Sequence, residues 1–353
     1  MCAEPLTNTP SGPRSIAAAS RRGDDLPTVT AIVPTFNRAV PLADTLRTLI
    51  AQDYPPHLLD IVIVDNSSSD DTEDVVSAAN DGSPFRIRYY RKENRGPAAS
   101  RNYAIARSDG DVLAFTDSDC QVPRDWVRTA VGHLGPGIGF VAGPVRPVNH
   151  PDRTPSFFAH QIDHKSEDYI YATANIFYRR DVVERLGGFN ESFGAYPWGT
   201  PVGGEDTDLA WRVKRSGLLS RFVPEVAVFH EATTLPTKTW LIEPVRAQIL
   251  PRLVRDLPEL RSGLWRRYFV SRGSALFDVA AAGVTLAIVS KRPQPLLLVA
   301  PWIWDQRSMV ERDINAPKRW WRIPFKYALM WERYTVQALS LIYSSVRHRT
   351  PVV

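Results

Sequence analysis

The sequence predicts an α/β fold: a mostly parallel sheet covered by helices, followed by a helical, basic, tryptophan-rich module. Three observations carry this reading. Short apolar runs alternate with helical patterns over residues 29–116, and polar residues fall where each run ends. The composition then changes sharply near residues 231–240. With 353 residues, 44% hydrophobic and 23% charged, the chain can bury a core in one large domain with an appendage, or in two domains.

Val29-Thr30-Ala31-Ile32-Val33 reads as a buried strand closed by Pro34. Leu42, Leu46, Leu49 and Ile50 recur at helical spacing, and Tyr54-Pro55-Pro56 stops that helix. Ile61-Val62-Ile63-Val64 is a second buried strand, and the polar run over residues 65–72 is a loop and helix cap leading into Val75 and Val76. Residues 87–90 read as a third strand, 98–106 as a helix and 112–116 as a fourth strand. Short connections between alternating strands and helices require right-handed crossovers and a sheet buried on both faces. Residues 222–229 read as an edge strand with Pro224 near its start, and Leu209 with Val213 marks a helix starting near Asp206.

Open α/β sheets bind ligands at the carboxyl ends of their strands. Thr35, Asn37, Asp65, Asn94, Asp117 and Asp119 all stand there. No Gly-x-Gly-x-x-Gly follows the first strand and no Gly-x-x-x-x-Gly-Lys-Ser/Thr occurs, which disfavours a dinucleotide fold and a P-loop enzyme. Asp117-Ser118-Asp119 places two carboxylates at one strand end, where alternation can aim both into one opening and hold a divalent cation, Mn2+ or Mg2+. An isolated Asp-x-Asp is more often a solvated turn; its place after the fourth strand favours the cation.

Gly203-Gly204-Glu205-Asp206-Thr207-Asp208-Leu209 is a second constellation. Asp206 suits a cap at the positive end of a helix dipole, and that field is expected to keep its carboxylate ionised at neutral pH, fit to take a proton from an attacking hydroxyl. His230 follows the expected edge strand. A lone histidine there is usually a hydrogen-bonded surface residue, but beside carboxylates imidazole is a competent ligand. Tyr196-Pro197-Trp198-Gly199 suits an aromatic wall for a bound ligand, or equally a loop packed onto the core through Trp198.

Residues 28 to about 234 resemble the family 2 glycosyltransferases of the GT-A fold. The resemblance rests on Thr30-Ala31-Ile32-Val33-Pro34-Thr35-Phe36-Asn37-Arg38, Ile63-Val64-Asp65-Asn66-Ser67-Ser68 and Asn94-Arg95-Gly96-Pro97-Ala98-Ala99-Ser100-Arg101-Asn102. It continues through Asp117-Ser118-Asp119, Leu186-Gly187-Gly188-Phe189, Glu205-Asp206-Thr207-Asp208-Leu209 and His230. It implies an inverting transfer of a sugar from a nucleotide-sugar donor to a glycan or lipid-linked acceptor. Pro34, Thr35, Asp65, Asn94, Arg95 and Asp117 would bind the donor, Asp119 and His230 the cation, and Trp198 and Glu205 the acceptor, with Asp206 as the base. Where the family usually has a second carboxylate after the second strand, Asn66 stands here, which leaves uridine, thymidine and guanosine donors open. A sugar-nucleotide nucleotidyltransferase would need a Gly-rich, basic segment after the first strand, and Thr35-Phe36-Asn37-Arg38 holds one Arg and no glycine. A catalytically inactive sugar-binding scaffold would not need all of Asp117, Asp119, Asp206 and His230.

Residues 236–353 hold 19 Lys/Arg against 8 Asp/Glu, a balance of +11, whereas the first 235 residues balance at −6. Seven of the ten tryptophans lie there: Trp240, Trp265, Trp302, Trp304, Trp320, Trp321 and Trp331. Residues 273–289, apolar except for Ser274, Asp278 and Thr285, and residues 295–304 form two apolar runs separated by Lys291-Arg292-Pro293, and neither reaches the ~20 clean residues of a spanning helix. Basic and tryptophan-rich flanks suit a headgroup-level anchor, the alternative being a soluble helical subdomain. No nucleic-acid-binding signature accompanies the basic surface. Residues 1–27 read as a flexible tail without the ~7–15-residue apolar core of a signal peptide, and Cys2 and Cys120 alone form no disulfide framework. The expected organisation is therefore a tail (1–27), a catalytic domain (28–235) and a membrane-associating helical module (236–353), at work on the cytoplasmic face of the inner membrane.

Overall fold

The computed structural model describes residues 26–148, 157–160, 162–167, 169–193, 203–311 and 322–353. Almost all of the tail expected over residues 1–27, together with Trp198, Trp320 and Trp321, lies outside the described residues. The strands are β1 (Val29–Thr35), β2 (Leu59–Asp65), β3 (Arg86–Arg91), β4 (Val112–Phe115), β5 (Cys120–Gln121), β6 (Ile138–Ala142), β7 (Val145–Pro147), β8 (Ala159–His160), β9 (Ile176–Arg179), β10 (Leu219–Phe222), β11 (Val228–His230) and β12 (Thr233–Thr234). The helices are α1 (Ala39–Ile50), α2 (Thr72–Asp81), α3 (Gly96–Ile105), α4 (Trp126–His133), α5 (Arg180–Arg185), α6 (Glu205–Arg215), α7 (Thr237–Ile242), α8 (Ile249–Asp256), α9 (Arg272–Ser290), α10 (Ala300–Glu311) and α11 (Ile323–His348).

Seven strands form the main sheet in the order β10-β6-β9-β4-β1-β2-β3. β1, β2, β3 and β4 run parallel, and β9 lies antiparallel between β4 and β6. Alternation along β1 divides the interior. Ala31 and Val33 pack with Leu42, Leu46 and Leu49 of α1, whereas Ile32 faces Ala98, Ala104 and Ile105 of α3. Both faces are covered, which is why the central strands read as unbroken apolar runs.

The edge strand expected over residues 222–229 is two strands in two sheets. β10 pairs with β6 at the edge of the main sheet, and β11 joins a small sheet between β5 and β7. Pro224 cannot donate to a ladder, and the bond from Val226 N–H to the Val223 carbonyl (3.1 Å) turns the chain at that point. The break brings His230 opposite Cys120, next to Asp119.

The change in composition near residues 231–240 does not coincide with a break in packing. Ile249, Leu253 and Val254 of α8 and Leu341 of α11 share one buried cluster with Phe115, Tyr178 and Leu209. The Ser344 hydroxyl donates to the Gln248 carbonyl at 2.5 Å within the same layer. Trp240, Phe277, Trp302, Leu329 and Met330 form a further cluster joining α7, α9, α10 and α11. Removing buried methyl groups from a shared core weakens the whole unit, so Leu253→Ala should cost about 2–5 kcal/mol. In urea, tryptophan fluorescence and far-UV circular dichroism should report one transition, shifted as a whole; a second transition left unshifted would mean independent units.

Candidate active site

The loops at the carboxyl ends of β1 and β2 are locked together before any ligand is considered. Asp65 is 1% exposed. Its carboxylate accepts from the Ser68 N–H (2.9 Å), the Ser68 hydroxyl (2.6 Å) and the Tyr89 hydroxyl (2.6 Å). Ser68 Oγ in turn accepts from the Asn37 N–H (2.8 Å), and Asn37 Oδ1 accepts from the Ser69 N–H (2.7 Å). Asp70 Oδ2 accepts from the N–H of Ala39 at 2.9 Å, so a carboxylate from the β2 loop caps α1. Both Asp65 oxygens are engaged, and its visible work is to shape this loop.

Beyond β4 the chain carries Asp117 and Asp119. Arg101 of α3, buried, donates to Asp117 Oδ1 (3.3 Å) and to Glu205 Oε1 (2.9 Å). Glu205 is the first residue of α6, and its Oε2 is buried without a partner. The helix N-cap is Gly204 at φ 103°, with no side-chain cap, so Asp206 is a first-turn residue and not the cap. The expectation of an Asp206 ionised by the helix dipole is corrected too. Burial first, and then the neighbouring Glu205, push its carboxyl up to about 7, against the pull of Arg101 and of its bond from the Thr207 N–H (2.7 Å). Desolvation and the charges of Glu205 and Asp117 together outweigh the single guanidinium. A carboxyl poised near neutrality is nevertheless matched to general-base work.

Asp119 faces the other way. Its Oδ2 is paired with the Arg38 guanidinium and its Oδ1 lies 3.3 Å from His230 Nε2. His230 Nδ1 stands 2.9 Å from the Glu231 carbonyl oxygen, which only accepts. A proton on Nδ1 would donate to that carbonyl, and Nε2 faces the Asp119 carboxylate, where a second proton or a shared cation would satisfy both atoms. Asp119, Cys120 and His230 place ligand atoms within 4.8 Å of one another. Burial pushes the Cys120 thiol well up, and the carboxylate and imidazole donors of Asp119 and His230 fit a Mn2+- or Mg2+-like ion.

Asp117, Asp119, Glu205, Asp206 and His230 thus converge on one end of the sheet, as do Pro34 and Thr35 at the end of β1. The Thr35 hydroxyl is buried without a partner. Asn94 and Arg95 stand exposed at the start of α3, where Asn94 Oδ1 accepts from the Gly96 N–H at 3.1 Å. No hydrogen bond among the described residues joins either to Asp117 or Asp119. Arg101 and Arg38 were given no role by the sequence. Arg101 had a signal: a cation on a helix face otherwise lined by Ala98, Ala104 and Ile105 must find buried carboxylates.

The family model described as Glycosyl transferase family 2 matches residues 30–187. Glycosyltransferase AglE of Haloferax volcanii is 30% identical over 218 residues, 59% of this chain and 68% of AglE. The GalNAc(5)-diNAcBac-PP-undecaprenol beta-1,3-glucosyltransferase of Campylobacter jejuni is 31% identical over 120 residues, 33% of this chain and 38% of that protein. The chain spans about half the length of several other curated relatives. Mannosyltransferase PcManGT of Pyrobaculum calidifontis, solved with GDP-Man and Mn2+, superposes with a TM-score of 0.56 at 21% identity, covering 91% of this chain and 88% of that one. At that identity the superposition speaks for the fold, which is GT-A-like. With the family model on β1 to β9 and a 30% identical glycosyltransferase matched over two thirds of its length, this chain belongs to glycosyl transferase family 2.

Proposed function

We propose that the chain transfers a sugar from a nucleotide-sugar donor to an acceptor hydroxyl by a single, cation-assisted, inverting displacement. One observation carries the proposal: the Asp117-Ser118-Asp119 loop is joined through Arg101 to Glu205 on one side and through Asp119 to His230 on the other. Asp119 and His230 would hold a divalent cation, which supplies positive charge against the diphosphate as its bond to the sugar breaks.

The chain's own groups do the rest. Pro34, Thr35 and Asp117, with Asn94 and Arg95 at the start of α3, border the donor site, and Asp65 keeps the β2 loop in shape for the base. Asp206 takes the proton from the acceptor hydroxyl as it attacks the anomeric carbon. Glu205, held by Arg101 through Oε1, leaves Oε2 for an acceptor hydroxyl. Trp198 is assigned to the acceptor side on the sequence alone. A retaining double displacement would need a carboxylate nucleophile on the opposite face of the sugar, a role for which no residue stands out.

The acceptor is proposed to be lipid-linked or part of an envelope glycan, met at the cytoplasmic face of the inner membrane. The charge division of −6 and +11 supports this, as does α9, the one helix among the described residues long and apolar enough to cross a membrane. The Campylobacter relative is named for a glycan on undecaprenyl diphosphate.

Asp206→Asn should lower turnover on a panel of UDP-, GDP- and dTDP-sugars roughly 10²–10⁴-fold while donor affinity changes little. The base works deprotonated, so with its carboxyl raised to about 7, activity should fall as pH drops below that value and level off above it. A profile flat from acid to neutral pH would place the base elsewhere. Excess EDTA should abolish transfer and Mn2+ restore it, with Asp119→Asn weakening donor binding measured by calorimetry. Undiminished transfer in chelator would rule out the cation's part.

A further inference from the structure

α9 and the 3-10 turn Gln294–Val299 form an antiparallel hairpin with a fixed base and an unsupported end. The base is tightly built. The Ser271 hydroxyl and the Ser274 N–H close a capping box at 3.1 Å, and a side chain at Gly273 would collide with the Tyr334 hydroxyl at 2.4 Å. Phe277 and Ala280 are buried against Trp302 and α11, and Arg272 pairs with Asp305 at 3.3 Å. Further out the two arms pack on each other. A Cβ on Gly283 would stand 2.6 Å from the Pro295 carbonyl and 2.8 Å from Leu298 Cβ, so glycine permits the approach.

Beyond that contact the surface is apolar and open. Ile288 is 72% exposed, Val289 75% and Leu297 76%. Residues 279–290 and 293–304 contain no charged side chain, and the tip between them is Lys291-Arg292. Trp304, 65% exposed, carries the Arg307 guanidinium 3.9 Å from its ring centroid. Apolar arms ending in two cations, with a tryptophan and an arginine further back, match the layered chemistry of an anionic lipid surface, apolar beneath and phosphate above.

We infer that the distal part of this hairpin is a shallow membrane wedge, lying in the interfacial layer of an anionic leaflet with Lys291 and Arg292 at the phosphate level. The inference deepens the membrane-surface reading above and rests on it. The geometry limits the depth. Ser290 lies ten residues beyond Ala280, about 15 Å along the helix, half the ~30 Å hydrocarbon thickness. Entry tip-first would carry both cations to the midplane, where charge is strongly disfavoured; lying flat keeps them among phosphates. α9 therefore does not span.

The test uses the full chain with vesicles of phosphatidylcholine, with or without phosphatidylglycerol. The wild type should sediment with the anionic vesicles. Lys291→Glu/Arg292→Glu should weaken binding more than tenfold, since each cation near such a surface is worth a factor of about five. Ile288→Glu/Leu297→Glu should abolish it even at low salt. Both variants should keep the wild-type melting midpoint and donor hydrolysis. Sedimentation of both variants like wild type overturns the wedge but leaves the membrane reading to another surface. A wild type that stays in the supernatant overturns both. A wild-type dimer that Ile288→Glu/Leu297→Glu dissolves, without vesicle binding, would instead make this face a contact between two copies.

Discussion

The buried ion pair between Arg101 and Glu205 is the constraint from which the rest of the site follows. Both side chains are out of water, and the same guanidinium reaches Asp117. Losing one partner of such a pair strands the other charge and costs about 3–5 kcal/mol. The pair also fixes position, because it ties α3 to the end of β4 and to the first turn of α6. Asp117, Glu205 and Asp206 are thereby held around one arginine. That crowding, together with burial, accounts for an Asp206 carboxyl poised near neutral pH. A site proposed to accept a proton and to oppose a diphosphate would gain from both features.

A second dependence runs through the C-terminal helices. Gly204 adopts φ 103°, and a Cβ there would meet Ile249 Cγ1 at 2.9 Å and Leu253 Cδ1 at 3.2 Å. Only glycine has both the backbone freedom and the small size for that position. α8 thus presses against the residue that starts α6, and α11 backs α8 through Leu341 and Ser344. The helices after residue 236 therefore buttress the start of α6 as well as carrying the apolar hairpin.

Much of this was legible in the sequence, for physical reasons. The apolar runs of β1, β2 and β4 name a sheet buried on both faces, and polar residues at their ends name the site. Asp117, Asp119 and His230 could be singled out only together, since each alone suits a solvated turn or a surface hydrogen bond, and Asp206 only through its place in the Gly203–Leu209 run. What pattern could not reveal depended on packing. The composition change near residue 236 suggested a domain boundary, yet apolar residues of α8 complete the same core, and composition is blind to which core a leucine joins. Pro224 was visible, but that it would split one strand between two sheets depended on Val145 and Cys120, distant in sequence. The Asp206 shift arises from desolvation and the neighbouring Glu205 carboxylate, neither of which the sequence pattern reveals.

The account centres on a divided site, with the cation on the His230 side of the Asp117-Ser118-Asp119 loop and the base on the Arg101 side. Pulsed electron paramagnetic resonance of Mn2+ bound with UDP or GDP tests that division most directly. The account predicts nitrogen hyperfine coupling from one imidazole, present in the wild type and in Asp206→Asn and lost in His230→Gln. Bound Mn2+ without nitrogen coupling, or coupling that survives His230→Gln, would contradict it.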